Sequence, residues 1–328
     1  MWRSPAPENP PCPLRSPRKP MNIENRDLLA TCWTWAGNAA PARGTERSPI
    51  PMAERLDAVA SAGWEGVGIV YADLAEIAST TGLPTLRSML DDHGIKHVEL
   101  EFITNWWTTG EQRRESDAMR DDLFEAAAVL GATTLKAAAC LQAFGETSVD
   151  RERFASAFDE LATRAGSHGL RVAIEPMPMS NLPSIIDGVA FIKDVGNPHG
   201  GLCIDTWHVH RSGTDYRKLA EIVPVEHVFV VELTDADAEV VGPLWEDAVD
   251  RRRIPGLGSI DVAQFVAEMH RAGWRGHWGV EIISEEHRHW ALDVAVNLTR
   301  EKTLETIASA DQLLDRAAGR NAGVPQHI

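Results

Sequence analysis

Short apolar runs alternate with longer amphipathic stretches along most of the chain. Eight of the runs have the length and apolar character of buried β-strands, and they span residues 28–35, 65–71, 96–102, 133–140, 171–176, 201–205, 227–235 and 277–283. Between them, apolar residues recur at helical spacing, as in the segments MAERLDAVASAG and DVAQFVAEMHRAG. Glycines such as Gly63, Gly131 and Gly273 stand where these helices would end, because glycine adopts the left-handed C-cap conformation most easily. The pattern predicts a strand–helix unit repeated eight times.

This repeat is typical of the α/β class and of a closed (β/α)8 TIM barrel, which needs about 250 residues. A doubly wound open sheet has the same alternation, but no GxGxxG motif follows the first predicted strand. We therefore predict a single (β/α)8 barrel over residues 23–316. A long insertion at 236–258 follows the seventh strand and shows no clear helix or strand pattern, which is typical of a functional or disordered loop.

The two ends of the chain differ from the barrel in composition. Residues 1–22 are rich in proline and arginine and have no apolar run of the length a secretory signal needs. We predict a disordered extension there, with Met21 as a candidate start, and a loose tail over residues 317–328. No stretch of about 18 apolar residues predicts a membrane span.

Net charge and cysteine content indicate which partners and which compartment to expect. The chain of 328 residues has 32 Lys and Arg against 48 Asp and Glu, a formal charge of −16. That sign argues against nucleic acid or an anionic membrane as a partner. Four cysteines without a CxxC pair indicate reduced thiols, and we expect a cytoplasmic protein.

Acidic residues stand at the carboxyl ends of four predicted strands. Glu175 ends the fifth strand and Asp205 the sixth, while Glu232 and Glu281 lie late in the seventh and eighth. Such ends converge at the catalytic face of a barrel, and buried carboxylates are costly without a cation. We predict one divalent cation, Mn²⁺ first with Mg²⁺ or Co²⁺ as alternatives, because oxygen ligands suit these ions. The competing interpretation pairs each acid with a basic neighbour such as Lys136, Arg171 or Arg211.

The segment Asp205-Thr206-Trp207-His208 carries the densest chemistry of the chain. His208 follows Asp205 by three positions at a strand end, so its imidazole can reach the site. Arg211 can bind an anionic or carbonyl oxygen. We predict Arg211 as a substrate contact, together with Lys136 on the fourth strand.

Tryptophan is common, with 11 Trp against 2 Tyr and 8 Phe. Many of the tryptophans follow predicted strands at the catalytic face or lie in the insertion: Trp33, Trp35, Trp106, Trp107, Trp207 and Trp245. Indole rings stack on sugar C–H surfaces and on aromatic rings, whereas the alternative role is core packing. We predict Trp35, Trp107 and Trp207 as substrate contacts and a substrate with a sizeable apolar area.

The chain resembles the xylose isomerase-like TIM barrel family of sugar isomerases and epimerases, which shares its fold with the endonuclease IV group. The resemblance runs from about residue 28 to about residue 310. Its most specific pieces are Glu175-Pro176, Asp205-x-x-His208 and the sequence Val-Glu-Ile-Ile-Ser that contains Glu281. The histidines that a trinuclear zinc site of the endonuclease branch needs are absent from the expected strands.

The resemblance also implies roles for individual residues. It implies that Glu175, Asp205 and Glu281 bind the cation and that Glu175 and Glu281 also carry protons in catalysis. His208 is implied as a substrate or catalytic contact. Where relatives usually have His or Gln on the seventh strand, Glu232 stands here, so the third ligand is either Glu232 or His208.

A cation at such a site polarises a carbonyl while a base removes the neighbouring proton. The enediolate then leads to epimerisation, isomerisation or elimination. The tryptophans and the lack of a phosphate-binding glycine loop favour elimination from an unphosphorylated keto-sugar. In this respect the chain resembles the catalytic subunit of C-glycoside deglycosidases, which cleave 3-oxo-glycosides beside a small β-rich partner subunit.

Three alternatives stay open at this point. The same site would serve a sugar epimerase or an aldose–ketose isomerase, and it would also serve relatives of inosose or dehydroshikimate dehydratases. A hypothesis of another class is a non-catalytic sugar-binding barrel. The sequence leaves the exact substrate, the native metal and the choice between a partner subunit and a homo-oligomer undecided.

Overall fold

Parallel strands close into a barrel at the centre of the protein. The structure, a computed structural model, describes residues 22–141 and 149–322. Among these residues eight strands pair in parallel, each with the next, and the last pairs with the first. The strands are β1 Leu28–Ala30, β2 Gly66–Val70, β3 His97–Ile103, β4 Thr134–Ala138, β5 Arg171–Glu175, β6 Gly200–Asp205, β7 Val228–Leu233 and β8 Trp278–Val280.

Helices surround the barrel and connect its strands. They are α1 Met52–Ala62, α2 Tyr71–Ser79, α3 Leu83–Asp92, α4 Gly110–Leu130, α5 Arg151–Ser167, α6 Ile185–Val195, α7 Thr206–Arg211, α8 Leu219–Ile222, α9 Leu244–Asp250, α10 Val262–Ala272 and α11 Leu292–Ala322. Gly63 ends α1 with a φ of 85°, a left-handed conformation that favours glycine. None of the described helices is long and apolar enough to cross a lipid bilayer.

The eight predicted strands are all found in the described part of the chain, which confirms the closed (β/α)8 barrel. The largest difference in length is at β1, which ends at Ala30 because Cys32–Thr34 forms a 3₁₀ turn. This turn is tied to the neighbouring strand, since the Thr34 hydroxyl donates to the Val280 carbonyl at 2.6 Å. The chain after β1 therefore crosses the carboxyl end of the barrel instead of extending the strand.

The barrel wall is covered on both faces. All residues of β6 and β7 are buried, as expected for parallel strands covered by helices outside and by side chains inside. The carboxylates at the ends of these strands are thereby held in a water-poor setting.

The predicted extension at residues 1–22 lies outside the described residues except for residue 22. Over the predicted tail, α11 continues to Ala322, and residues 323–328 lie outside the described part.

The insertion at 236–258 contains the helix α9 and lies over the carboxyl end of the barrel. Charged contacts fix this helix from three sides. Arg43, in the loop after β1, and Arg288, after β8, both donate to the Asp250 carboxylate, and Arg211 of α7 donates to Asp247 at 3.0 Å. The insertion therefore forms a wall of the barrel mouth.

Candidate active site

Four carboxylates converge at the mouth of the barrel. Glu175 and Asp205 are the last residues of β5 and β6, Glu232 lies opposite Asp205 on β7, and Glu281 directly follows β8. Each offers one oxygen to a group in which all the oxygens lie within 4.8 Å of one another. The structure thus brings together the four acidic residues predicted as metal ligands, and we refer to them as the carboxylate quartet.

Glycines leave the room that these side chains occupy. A Cβ atom at Gly279 of β8 would lie 2.9 Å from Cγ of Glu232, and one at Gly68 of β2 would lie 1.9 Å from Oε1 of Glu101. Real Cβ atoms do not approach other atoms so closely. Since β2 and β8 have no side chain at these points, the Glu101 and Glu232 carboxyl groups can lie inside the barrel.

Asp205 links β6 to the helix that carries His208. One carboxylate oxygen of Asp205 caps α7 by accepting from the His208 backbone N–H at 3.0 Å, a common way to satisfy the first amides of a helix. The other oxygen accepts from Nη1 of Arg252 at 2.9 Å. The cap fixes where α7 begins and so places the His208 ring over the quartet.

His208 lies between a carboxylate and a guanidinium. Its Nε2 atom is 3.3 Å from Oε1 of Glu175 and 3.2 Å from Nη2 of Arg252. The other ring nitrogen, Nδ1, is buried and has no hydrogen-bond partner among the described residues. His208 is in place to hold the Glu175 carboxylate, and its Nδ1 is a polar atom that the described protein groups leave unsatisfied.

Two buried cations neutralise part of the negative charge. The Lys136 ammonium lies 2.7 Å from Glu101, 2.6 Å from Glu232 and 3.6 Å from Glu281. Arg252 contacts Asp205 and, at 3.3 Å, Glu281. Glu101 and the quartet together supply five carboxylates against these two cations, so negative charge is in excess.

Burial and the neighbouring charges shift the pKa values of three of these carboxyl groups. Burial raises the pKa of Glu232 well above its usual range, and the neighbouring glutamates add to the effect against Lys136. Burial likewise raises the pKa of Glu281 to about 7, with Lys136 and Arg252 opposing. Burial also disfavours ionised Glu175, but His208, Lys136 and Arg252 outweigh it and lower its pKa to about 2.

The donor set fits a divalent cation. Carboxylate oxygens that converge within 4.8 Å are the ligands that hard divalent ions prefer. A second group, formed by Glu175, Asp205 and His208, meets the same distance limit and includes an imidazole. An added dication would offset the excess negative charge that raises the pKa values of Glu232 and Glu281.

A cavity opens above the quartet and reaches solvent. It holds about 660 Å³, counting the space at its mouth, which suits a small molecule. Glu101, Lys136, Glu175, His208, Arg252 and Glu281 are among its polar lining residues. Its apolar lining consists chiefly of Trp33, Pro41, Phe102, Leu141, Met177, Met179, Trp245, Val249 and Ile283.

Four of the residues predicted as substrate contacts lie outside this lining. Trp35 is fully buried and its indole N–H donates to the Gly68 carbonyl at 3.0 Å. Trp107 packs against Trp106 and Phe154 in the helical layer. The cause at Trp35 is the 3₁₀ turn Cys32–Thr34, which takes the place of the strand predicted to continue to residue 35.

The other two are on α7. The Arg211 guanidinium forms an ion pair with Asp247, 2.9 Å away, and donates hydrogen bonds to the Asp237 and Ala238 carbonyls. It therefore anchors the insertion. Trp207 is fully buried because one helical step separates it from the face that carries His208. Lys136 alone among the five predicted contacts lines the cavity.

Sequence reasoning did not assign Arg252, Met177 or Met179 to the site. The methionines follow the motif Glu175-Pro176 closely, which is a usable signal in a barrel loop. Arg252 is the middle residue of three consecutive arginines, and nothing in that run separates it from Arg251 and Arg253, which pair with Asp237.

The sequence is similar to those of characterised dehydratases and isomerases. A curated 3-dehydroshikimate dehydratase of Pseudomonas putida is 26% identical over 240 residues, which are 72% of this chain and 37% of that protein. An inosose isomerase of Halalkalibacterium halodurans is 25% identical over 151 residues, 45% of this chain and 52% of that protein. The chain thus spans about a third to a half of the length of these relatives.

Solved structures share the fold. A structure of the IolI protein with a bound zinc atom superposes with a TM-score of 0.73 at 18% identity, over 87% of this chain and 99% of that one. A D-allulose 3-epimerase of Methylomonas sp. in complex with D-allulose gives a TM-score of 0.63 at 16% identity, over 89% and 100%. The profile of the family described as "Xylose isomerase-like TIM barrel" matches residues 56–308. The chain therefore belongs to the xylose isomerase-like TIM barrel family.

Proposed function

We propose that this protein is an enzyme that removes the proton next to a carbonyl group of an unphosphorylated keto-sugar and then eliminates a substituent. The substrate we favour is a 3-oxo-glycoside, so that the enzyme is a lyase like the catalytic subunit of C-glycoside deglycosidases. One observation carries the proposal: an acidic floor suited to a cation lies beneath an apolar wall that includes Trp33 and Trp245. A sugar ring carrying an apolar group needs both surfaces.

The carboxylate quartet would hold one divalent cation, with His208 as an alternative ligand to Glu232. Oxygen ligands favour Mn²⁺, with Mg²⁺ or Co²⁺ as alternatives. When bound, the ion supplies Lewis-acid chemistry that polarises the substrate carbonyl. The zinc atom of the IolI structure supports a cation in a barrel of this family.

The protein groups supply the proton transfers. Glu175 faces the cavity and is held by His208, so its free oxygen is placed to take the proton from C2 of a 3-oxo-glycoside. The electron pair of that C–H bond becomes the C1–C2 double bond as the bond from C1 to the aglycone breaks. Glu281, which follows β8 and also lines the cavity, is placed to give a proton to the departing group.

The apolar wall of the cavity would bind the leaving group. Met177, Met179 and Trp245 line the cavity above the acidic floor, and such side chains bind an aromatic or otherwise apolar aglycone through buried area. A relative named 3-dehydroshikimate dehydratase supports elimination as the outcome. A sugar epimerase or aldose–ketose isomerase is the second candidate, supported by the relative named inosose isomerase.

The test follows solvent deuterium. The purified chain is incubated with Mn²⁺ in D₂O, first with a 3-oxo-glycoside bearing an aromatic aglycone and then with free keto-sugars. Each reaction is run alone and with a candidate β-rich partner subunit. We expect release of the aglycone, and we expect Glu175→Gln to lower the rate at least about a thousandfold because the base is lost. Glu160→Gln, an exposed substitution on α5, serves as the matched control.

Other outcomes separate the alternatives. Deuterium at carbon without aglycone release would identify an epimerase or isomerase. Substrate binding with no exchange would identify a sugar-binding barrel, and it would exclude the enzyme proposal.

A further inference from the structure

A second group of carboxylates lies directly beside the quartet and surrounds one ammonium. The side chains of Glu101, Glu232 and Glu281 approach Nζ of Lys136 at 2.7, 2.6 and 3.6 Å. All four side chains are nearly inaccessible to solvent, with exposures of 0 to 6%. Glu232 and Glu281 belong to both groups, whereas Glu101 belongs only to this one.

Three carboxylates surround the lysine, at two different distances. An ammonium has three N–H donors and no acceptor. Glu101 and Glu232 lie close to it at 2.7 and 2.6 Å, whereas Glu281 at 3.6 Å is an ion-pair neighbour. The ammonium, which also lines the cavity, therefore offsets the charge of three acids at once.

The carboxylates around Lys136 are also held by other groups. The Cys32 backbone N–H donates to Oε1 of Glu101 at 3.0 Å, and its thiol lies 3.3 Å from Oε2. The Cys203 thiol lies 3.2 Å from Oε2 of Glu232. Arg252 contacts Glu281 at 3.3 Å. Because none of these contacts involves Lys136, the three acidic side chains have partners that remain when the ammonium is removed.

Glu232 and Glu281 contact the ammonium and also belong to the quartet, so they would link it to a cation held there. Paired metal ions in two-metal sites are about 3.5–4 Å apart and share ligands in this way. We infer that the Lys136 ammonium takes the place of a second metal ion and limits the site to one divalent cation. The inference rests on the proposed cation site in the quartet.

The test counts bound metal and needs no activity. Full-length wild type and Lys136→Ala are loaded with Mn²⁺ at neutral pH, gel-filtered, and analysed for manganese per chain by mass spectrometry, with calorimetric titration in parallel. We expect about one ion for wild type and about two for Lys136→Ala. Circular dichroism verifies that the variant is folded.

Two matched variants locate the second ion. Lys136→Ala combined with Glu101→Gln should return to about one ion, because Glu101 binds only at the second position. Arg252→Met removes another buried cation, one that contacts Asp205 and Glu281 but not Glu101, and it should stay at about one ion.

The possible results decide between the two proposals. One ion in both wild type and Lys136→Ala overturns the inference and leaves the proposed cation site intact, whereas two ions in wild type also overturn it. No ion in wild type contradicts the proposed cation site, and the inference falls with it. If Lys136→Ala is unfolded, excess Mn²⁺ should refold it, and a chain that stays unfolded counts against the inference.

Discussion

A buried histidine outside the cavity should make the fold less stable at acid pH. His287 follows β8 and is 4% exposed, and its Nε2 atom is 3.1 Å from the Thr299 hydroxyl. Burial lowers its pKa to about 4, because an imidazolium is poorly solvated there. The neutral ring is therefore the form that the folded chain accommodates.

The sign of the pH effect follows from this lowered pKa. Between pH 6.5 and 4 the unfolded chain binds a proton at His287 that the folded chain does not, so the free energy of unfolding falls as the pH falls. From pH 7.5 to 5 we expect His287 to account for a loss of about 2 kcal/mol. Urea unfolding at the two pH values measures this loss in the free energy of unfolding. The comparison protein is His287→Gln, which keeps a polar side chain that does not bind a proton in this range. An equal loss in both proteins would refute the prediction.

At the residue scale, the sequence predicts the carboxylates better than their neighbours. Glu175, Asp205, Glu232 and Glu281 could be found because the carboxyl ends of parallel strands meet at one face. Arg252 could not, since its place depends on the path of a long insertion that no periodicity describes. The direction of an indole at the end of a strand, as at Trp35, depends on a backbone turn that the apolar pattern does not reveal.

At the scale of elements, ion pairs join α9 to the loops around it. Oxygen atoms of Asp250 accept from Arg43 at 2.6 to 3.2 Å and from Arg288 at 2.8 Å. These arginines come from the loops after the first and last strands, so Asp250 joins α9 to both. The helix in turn brings Trp245 and Arg252 to the cavity.

Removing this junction should loosen the helix without unfolding the barrel. We expect Asp250→Ala to cost about 1–2 kcal/mol locally, since the pair is only partly buried, and to speed amide exchange over residues 239–258 roughly tenfold. Hydrogen–deuterium exchange by mass spectrometry measures this, with peptides of β5 as the internal reference. Asp215→Ala breaks an exposed pair with Arg217 and should leave exchange over 239–258 unchanged. Unaltered exchange over 239–258 would show that other contacts hold α9.

The element pattern was predictable over most of the chain because each strand and helix has its own local periodicity. The helix α9 was not, since the seven residues Leu244–Asp250 are too few to show a helical repeat. Closure of the sheet was inferred from the number of strands, because a closed barrel and an open sheet share the same local pattern.

At the scale of the whole molecule, negative charge is concentrated where the strands converge. The chain carries a formal charge of −16. Five of its carboxylates meet at the barrel mouth, and among the described residues Lys136 and Arg252 are the lysine and arginine that contact them there. A ligand that binds the folded chain and not the unfolded one stabilises it by mass action. A divalent cation should therefore raise the melting temperature.

We expect Mn²⁺ at a hundred times its dissociation constant to add about 2.7 kcal/mol, or about 4 °C for a chain of this size. Differential scanning calorimetry with and without a chelator measures the shift. Asp205→Asn, which removes one charge of the quartet and keeps the shape, should lose most of it. A shift of the same size in the variant would place the ion elsewhere on the surface.

The shared ammonium also constrains how this family can diverge. Because Lys136 offsets three acids at once, a neutral residue at position 136 leaves an uncompensated charge unless Glu101 or Glu232 is lost as well. Homologous chains should therefore change these three positions as a set. Barrels that lack the lysine should carry an uncharged residue at the position of Glu101 or of Glu232, which an alignment of the family would show.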